Sequence, residues 1–132
     1  MAKRVKPSIA PPALYELESE VMELMWELGE ANVRATMHEL NRRASRERKY
    51  TTVMTVLARL DAKGLLTRRR EGRTDFYKPL LGRDEYLAAR AEADVGTLVE
   101  RYGEAALVNF ARQMEQLDPK RREQLRRIAR RD

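Results

Sequence analysis

A chain of 132 residues is long enough for one compact domain, or for a small domain followed by a helical extension. Hydrophobic residues make up 42% of the sequence and charged residues 36%, which excludes wholesale disorder and favours a soluble, helix-rich protein. The formal net charge is +6, and the absence of cysteine excludes disulfides and thiolate metal sites. His38 cannot form a zinc site alone, so we expect neither a metal nor a cofactor.

Residues 1–12 are basic and rich in proline. Three prolines disfavour a helix there, so we predict a flexible basic N-terminal arm. The segment lacks the continuous apolar core of a secretory signal, and no apolar run in the chain reaches membrane-spanning length. We therefore predict a cytoplasmic protein without membrane insertion.

Charge is distributed unevenly along the chain. Ala13 to Asn41 contains one arginine and seven acidic residues, a net charge of −6, whereas Arg42 to Lys78 contains twelve cations and four acidic residues, a net charge of +8. An acidic front and a basic back would orient a domain on a polyanion.

Two amphipathic helices are predicted after the arm. The first runs from about Leu14 to Leu28 and ends at Gly29. Its apolar positions repeat with the period of a helix: Leu17, Val21, Leu24, Met25 and Leu28. Asn32 is a suitable N-cap for the second helix, which fades near Ser45. Its inward face is formed by Val33, Met37 and Leu40.

A third helix is predicted from about Tyr50 to Lys63, with Gly64 positioned to end it. Its buried face is set by the spacing of Val53, Val56, Leu57 and Leu60. The same geometry turns four polar residues away from the core: Thr51, Thr52, Thr55 and Arg59. Short hydroxyls and one long guanidinium suit the floor of a DNA major groove.

A very basic hairpin follows the third helix directly. Leu65 to Arg70 and Thr74 to Lys78 are the predicted strands, and Pro79 ends the second. Between them lies a short turn of Glu71, Gly72 and Arg73. An isolated arginine run is usually a solvated face, but its position after a groove-sized helix favours phosphate as its partner.

Three helices and a basic hairpin make up a winged helix over residues 13–81. We therefore predict a mainly α fold with a small β-hairpin wing, consisting of an N-terminal winged helix-turn-helix and a C-terminal helical dimerisation region, residues 82–132. The DNA-binding candidates are Lys49, Thr51, Thr52, Thr55, Arg59, Arg68, Arg69, Arg70 and Arg73.

The C-terminal region is predicted to contain three helices. Gly103 separates the first two, and Asp118 with Pro119 starts the third, in which Leu125 and Ile128 face inward. About fifty residues cannot bury these apolar faces well alone, which favours a homodimer, with packing onto the winged helix of the same chain as the alternative. The predicted dimerisation residues are Leu87, Ala91, Val95, Leu98, Tyr102, Leu107, Phe110, Met114 and Leu117.

From Leu14 to about Leu125 the sequence resembles the penicillinase-repressor family, the BlaI/MecI type of bacterial winged-helix transcriptional regulators. The resemblance rests on LESEVMELMWEL, YTTVMTVLARLDAKGLL and the GR-x-x-x-Y-x-P pattern that ends at Pro79. It implies a dimeric repressor on an inverted-repeat operator. It also implies that Thr52 and Thr55 face the groove, while Arg59 and the wing arginines contact the backbone.

Antibiotic-responsive members of this family are inactivated by proteolysis between an asparagine and a phenylalanine, which would make a membrane sensor protease a partner. Asn109 and Phe110 offer such a pair, although the helical core pattern requires Phe110 as well. The family's copper-responsive branch uses a cysteine cluster that this chain lacks. The arginine-rich end, Lys120 to Arg131, departs from the staphylococcal-type repressors.

A protein-interaction or nonspecific nucleic-acid module is the alternative function, and it predicts no enriched binding sequence. No enzyme is predicted, because the sequence has no cysteine nucleophile, no histidine pair and no glycine-rich phosphate loop. Acidic residues such as Glu18 and Glu20 fit an ordinary solvated helix surface.

Overall fold

Six helices and one antiparallel sheet make up the part of the chain that the structure, a computed structural model, describes: residues 10–43 and 46–131. The elements are α1 Glu16–Leu28, β1 Ala31–Asn32, α2 Val33–Arg43, α3 Tyr50–Ala62, β2 Leu66–Glu71, β3 Thr74–Pro79, α4 Arg83–Tyr102, α5 Glu104–Glu115 and α6 Pro119–Ala129. Residues 1–9 of the predicted arm lie outside the described residues, as does Ser45, the predicted end of the second helix. The described chain divides into two compact units, Pro11–Arg90 and residues 91–131.

The core of the first unit lies where α1, α2 and α3 pack against the hairpin. The apolar faces predicted for α1 and α3 are largely buried, because the helical period places their members on one side of each helix. Leu60 and Val21 are fully buried, whereas Leu28 at the end of α1 is exposed. The threonine side of α3 is therefore directed away from this core.

The sheet has a third strand that the sequence did not predict. β1 pairs with β3, with Ala31 opposite Tyr77, and the strand order is β1-β3-β2. Two residues carry no periodic signal, so pairing alone reveals this strand. Asn32 belongs to β1 and also caps α2 as predicted, because its Oδ1 accepts a hydrogen bond of 2.8 Å from Ala35 N. β3 continues through Pro79, which lies opposite Leu66.

Glu18 corrects the prediction of a solvated acidic surface on α1. It is 1% exposed, and its Oε1 accepts hydrogen bonds from Tyr15 N at 2.9 Å and Lys63 Nζ at 2.7 Å. α1 begins at Glu16, two residues later than predicted, because the Tyr15 backbone caps it through this carboxylate. A buried ion pair thus joins the start of α1 to the end of α3.

The first turns of α4 pack with the winged helix. Trp26 Nε1 donates a hydrogen bond of 2.9 Å to Leu81 O, and the Trp26 and Tyr86 rings lie 5.5 Å apart. Tyr86 is buried, and its hydroxyl donates to Pro12 O at 2.6 Å. An Arg83–Glu23 ion pair of 2.9 Å adds a further link to α1.

The second unit contains the end of α4 together with α5 and α6. Gly103 separates α4 from α5 with a φ of +59°, and Asp118 caps α6, so both predicted boundaries are confirmed. Ala106 is the one buried hydrophobic residue among residues 91–131. The inward orientation predicted for Ile128 is wrong within the single chain, since its side chain is 52% exposed. The described helices include none long and apolar enough to cross a bilayer.

Candidate nucleic-acid interface

The outward face of α3 presents hydroxyl groups along one side of the helix. Thr51, Thr55 and Arg59 are exposed and Thr52 is half-buried, so all four point away from the core as predicted. Lys49, the backbone N-cap of α3, is also exposed. Short side chains allow the helix backbone to approach a base-pair edge closely.

The Thr55 hydroxyl already has a partner within the helix. Its Oγ1 donates a hydrogen bond of 2.9 Å to Thr51 O. This bond uses the only hydroxyl hydrogen, so the side chain offers an approaching base a methyl group and acceptor lone pairs. Thr55 is therefore suited to contact a thymine methyl or a base amino group.

The connection between α2 and α3 is held by a side chain that the sequence did not single out. Asn41 Nδ2 donates to Arg48 O at 3.0 Å, and Asn41 Oδ1 accepts from Arg48 N at 2.7 Å. One amide therefore satisfies both backbone groups of Arg48, shortly before α3 begins. Asn41 is therefore a positioning residue for α3. The only indication of this role in the sequence is that Asn41 is polar and lies near the end of a helix.

Pairing in the hairpin places its strand arginines on two faces. Arg68 and Arg70 share one face and lie near Asp75, with a nitrogen–oxygen distance of 3.9 Å in each case. Arg68 is also 3.9 Å from Asp61 at the end of α3. Alternation along β2 puts Arg69 on the opposite face.

Arg69 is the most strongly paired of the wing arginines. It lies 3.0 Å from Glu30 and 3.2 Å from Glu71, and its guanidinium stacks 4.9 Å from the centre of the Phe76 ring. Hydrogen bonds to these two glutamates raise the pKa of Arg69, while the bond from Arg69 lowers the pKa of Glu30. The Arg69 charge is thus balanced within the protein.

Arg73 occupies the turn of the wing beside Gly72, whose φ of +63° favours glycine at that position. It is exposed and makes no ion pair with any described residue. Arg73 therefore presents an uncompensated cation at the tip of the hairpin.

A groove of about 250 Å³ runs between the wing tip and the first turn of α3. Tyr50 and Met54 form its helical side, Arg73 and Thr74 its wing side. Arg34 of α2 lines it as well, with its guanidinium 5.8 Å from the centre of the Tyr50 ring. The sequence did not identify Arg34, because it is an isolated cation in an acidic segment.

The predicted dimerisation residues form an apolar surface rather than a buried core. In the single chain, the larger exposed members have exposed fractions of 40% to 56%: Leu87, Val95, Leu98, Tyr102 and Leu107. Ala91 is also exposed, while Phe110, Met114 and Leu117 are half-buried. Leu98, Tyr102 and Phe110 line a shallow cavity of about 340 Å³ within the second unit.

The Asn109–Phe110 bond lies in the middle of α5. Asn109 is exposed, and its Nδ2 donates a hydrogen bond of 2.8 Å to Ala105 O in the preceding turn. A protease that binds an extended peptide can reach this bond only after the helix opens locally.

Comparisons with known proteins agree with this geometry. The penicillinase repressor family matches residues 14–131. The transcriptional regulator BlaI of Mycobacterium tuberculosis is 41% identical over 99 residues, which cover 74% of this chain and 70% of that protein. The penicillinase repressor of Bacillus licheniformis is 26% identical over 99 residues, covering 75% of this chain and 76% of that protein.

A solved structure supports the fold assignment. The solution structure of the DNA-binding domain of the repressor BlaI has a TM-score of 0.50 and 29% identity, and the match covers 62% of this chain and 94% of that domain. The predicted fold class, mainly α with a winged helix, is therefore confirmed.

Proposed function

The chain belongs to the penicillinase repressor family of transcriptional regulators, and from this premise we infer that it represses by binding a specific DNA operator as a homodimer. It is a DNA-binding transcriptional repressor and not an enzyme. We propose that residues 13–81 contain the DNA-binding elements, within a compact unit that extends to Arg90, and that residues 82–132 supply the dimerisation region. The two recognition helices would read half-sites about one DNA turn apart, roughly 34 Å.

The observation that supports sequence-specific binding best is the hydroxyl face of α3 beside a cationic wing tip. Thr52 and Thr55 offer groups that can distinguish base edges, while Arg73 offers a charge that suits phosphate. Thr51, Lys49 and the remaining arginines extend the proposed DNA surface. We place Arg59, Arg68 and Arg70 among the backbone contacts, with Arg69 as a weaker one because Glu30 and Glu71 already balance its charge.

Dimerisation is proposed through the apolar surface of α4 and α5. Exposed side chains such as Leu98, Tyr102 and Leu107 would be shielded from water against a second copy. One recognition helix reads few base pairs, so a second copy is needed for a long and specific operator.

Release of the operator by proteolysis is proposed at the Asn109–Phe110 bond, with a membrane sensor protease as the partner. The exposure of Asn109 supports access to this bond once α5 opens. Cleavage there would separate α6 and half of α5 from the rest of the apolar surface, weakening the dimer.

Substitution of Thr55 tests the proposed specificity. Thr55→Ala removes both methyl and hydroxyl, so it should change the preference among operator variants, with single-base effects of about 1–3 kcal/mol. Thr55→Val keeps a methyl group and should retain a preference for thymine. Affinities for a panel of duplexes that differ at one base pair measure both effects. Equal losses on operator and random DNA for both variants would argue against base reading by Thr55.

A further inference from the structure

Helix α6 and the two residues after it carry a dense set of cations. Residues 119–131 contain seven lysine or arginine residues and one acidic residue, Glu123. Five of these cations lie in α6 and Arg130 is its C-cap, and with the helical period all of these six except Arg121 occupy about half of the helix circumference. Arg121 alone falls beside the apolar pair of Leu125 and Ile128.

Few of these charges are balanced within the described chain. Arg122 lies 3.6 Å from Glu115 and Arg127 lies 3.9 Å from Glu123. No side-chain partner is found among the described residues for Lys120, Arg126, Arg130 or Arg131.

Like charges also lie one turn apart on this helix. Arg126 is four residues from both Arg122 and Arg130, and such pairs repel each other and destabilise an isolated helix. An ordinary solvated face would intersperse acidic residues to avoid this cost. A polyanion would remove the repulsion by neutralising several charges at once.

Arginine is the cation at six of the seven positions. Its planar guanidinium donates two parallel hydrogen bonds to a phosphate, which a lysine ammonium cannot do. A lipid surface fits less well, because the narrow apolar face of Leu125 and Ile128 has no tryptophan or phenylalanine to enter the headgroup region.

We propose that the basic face of α6 is a second DNA contact, which binds phosphates of the duplex independently of base sequence. This inference rests on the proposed function, because the bound operator supplies the phosphates. α6 would then contribute affinity and salt dependence, whereas base discrimination would stay with α3.

The test compares two full-length double variants of equal charge. Arg126→Gln with Arg130→Gln removes two unpaired cations from α6 and its C-cap, and glutamine preserves helix propensity. Arg101→Gln with Arg112→Gln is the matched control on α4 and α5, since both arginines are exposed. Dissociation constants are measured against NaCl concentration on a selected operator duplex and on a random duplex of the same length.

We expect the α6 variant to bind both duplexes more weakly, with a slope of log K against log salt reduced by about 0.9 for each phosphate that the variant no longer neutralises. Its preference for operator over random DNA should equal that of the unaltered protein, and the control should keep the original slope. Equal slopes for the α6 variant, the control and the unaltered protein would overturn the proposal.

A pelleting assay with vesicles of phosphatidylserine and phosphatidylcholine tests whether the basic face of α6 binds a lipid surface instead of DNA. Loss of vesicle binding in the α6 variant, with an unchanged DNA salt slope, would assign the face to lipid and overturn the proposal. If the proposed repressor function is wrong, the unaltered protein will show no preference for operator over random DNA. The comparison of salt slopes on random DNA still decides the role of α6 in that case.

Discussion

Lys63 Nζ lies 2.7 Å from Glu18 Oε1, and this ion pair joins the C-cap of α3 to the first turn of α1. The Glu18 side chain is 1% exposed and that of Lys63 is 22% exposed, so the carboxylate is buried and the ammonium retains some water. The Tyr15 ring covers the ammonium at 4.8 Å. Burial raises the pKa of Glu18, but hydrogen bonds from Lys63 and Tyr15 N outweigh it, and the pKa lies below 4.5.

Glu18→Gln should destabilise the fold by about 2 kcal/mol at neutral pH, because Lys63 loses its charged partner near the core. A lowered carboxyl pKa stabilises the folded state above the unfolded value, and this contribution disappears as pH falls through the folded value. The difference between the unaltered protein and Glu18→Gln should therefore shrink below pH 4.5. Urea unfolding across pH measures it, with Glu20→Gln, at a half-buried position without an ion pair among the described residues, as the control. A constant difference down to about pH 2 would contradict the assigned pKa direction.

Substitutions of Arg73 and Arg69 in the wing should affect DNA binding to different extents. Arg73→Gln should reduce the salt slope by about 0.9, because Arg73 is an uncompensated cation at the turn. Arg69→Gln should have a smaller effect, since Glu30 and Glu71 already balance its charge. Glu30→Gln provides the converse control and should strengthen binding by freeing Arg69. A larger loss for Arg69→Gln than for Arg73→Gln would show that Arg69 leaves its glutamates to bind phosphate.

Asn41→Ala should destabilise the segment that connects α2 to α3. This substitution removes both hydrogen bonds to the Arg48 backbone, and we expect a destabilisation of about 1–2 kcal/mol. Asn41→Asp keeps the acceptor for Arg48 N but sets a carboxylate oxygen against Arg48 O, so at neutral pH it should not restore the stability lost in Asn41→Ala. Thermal unfolding gives the stabilities, and operator affinity below the transition reports the position of α3. Unchanged values for Asn41→Ala would rule out a positioning role for this amide.

The start of α4 should be essential to the winged helix even without the dimer. A fragment that ends at Arg90 keeps Tyr86 and the Arg83–Glu23 pair, so it should fold and remain monomeric. A fragment that ends at Gly82 lacks the buried ring and should be less stable by about 3 kcal/mol. Chemical unfolding and sedimentation compare the two. Equal stabilities would place Tyr86 outside the folding unit, and dimerisation of the fragment that ends at Arg90 would relocate the proposed interface.

The sequence predicted the helices and hairpin well, because their apolar spacing is regular. The α3 helix shows this most directly: Val53 and Leu60 are buried, and Thr55 faces outward. The spacing of α1 could have indicated that Glu18 is buried, because Glu18 lies one helical turn before Val21 and Met22 on the core side. A reading based on hydrophobicity alone misses this, since glutamate is a charged residue. A carboxylate at a core position indicates a buried partner, and only the tertiary structure identifies it as Lys63.

Charge partners in the wing could not be read from sequence. Arg69 and Arg73 look equivalent in the sequence. Strand pairing nevertheless brings Glu30 beside Arg69, whereas Arg73 forms no ion pair with any residue that the structure describes. β1 explains part of this difference, because Glu30 immediately precedes the strand that pairs with β3. Such ion pairs depend on the register of the sheet. A strand of two residues has no sequence pattern from which that register could be predicted.

Sequence-specific binding by a pair of recognition helices is tested most directly by selecting bound duplexes from random DNA with the full-length protein. We expect enrichment of an inverted repeat whose half-sites lie about one helical turn apart, roughly 34 Å between centres. Thr55→Ala should select a repeat altered at the bases beneath α3. Recovery of no enriched motif, despite measurable DNA binding, would contradict operator recognition and favour a nonspecific nucleic-acid-binding module.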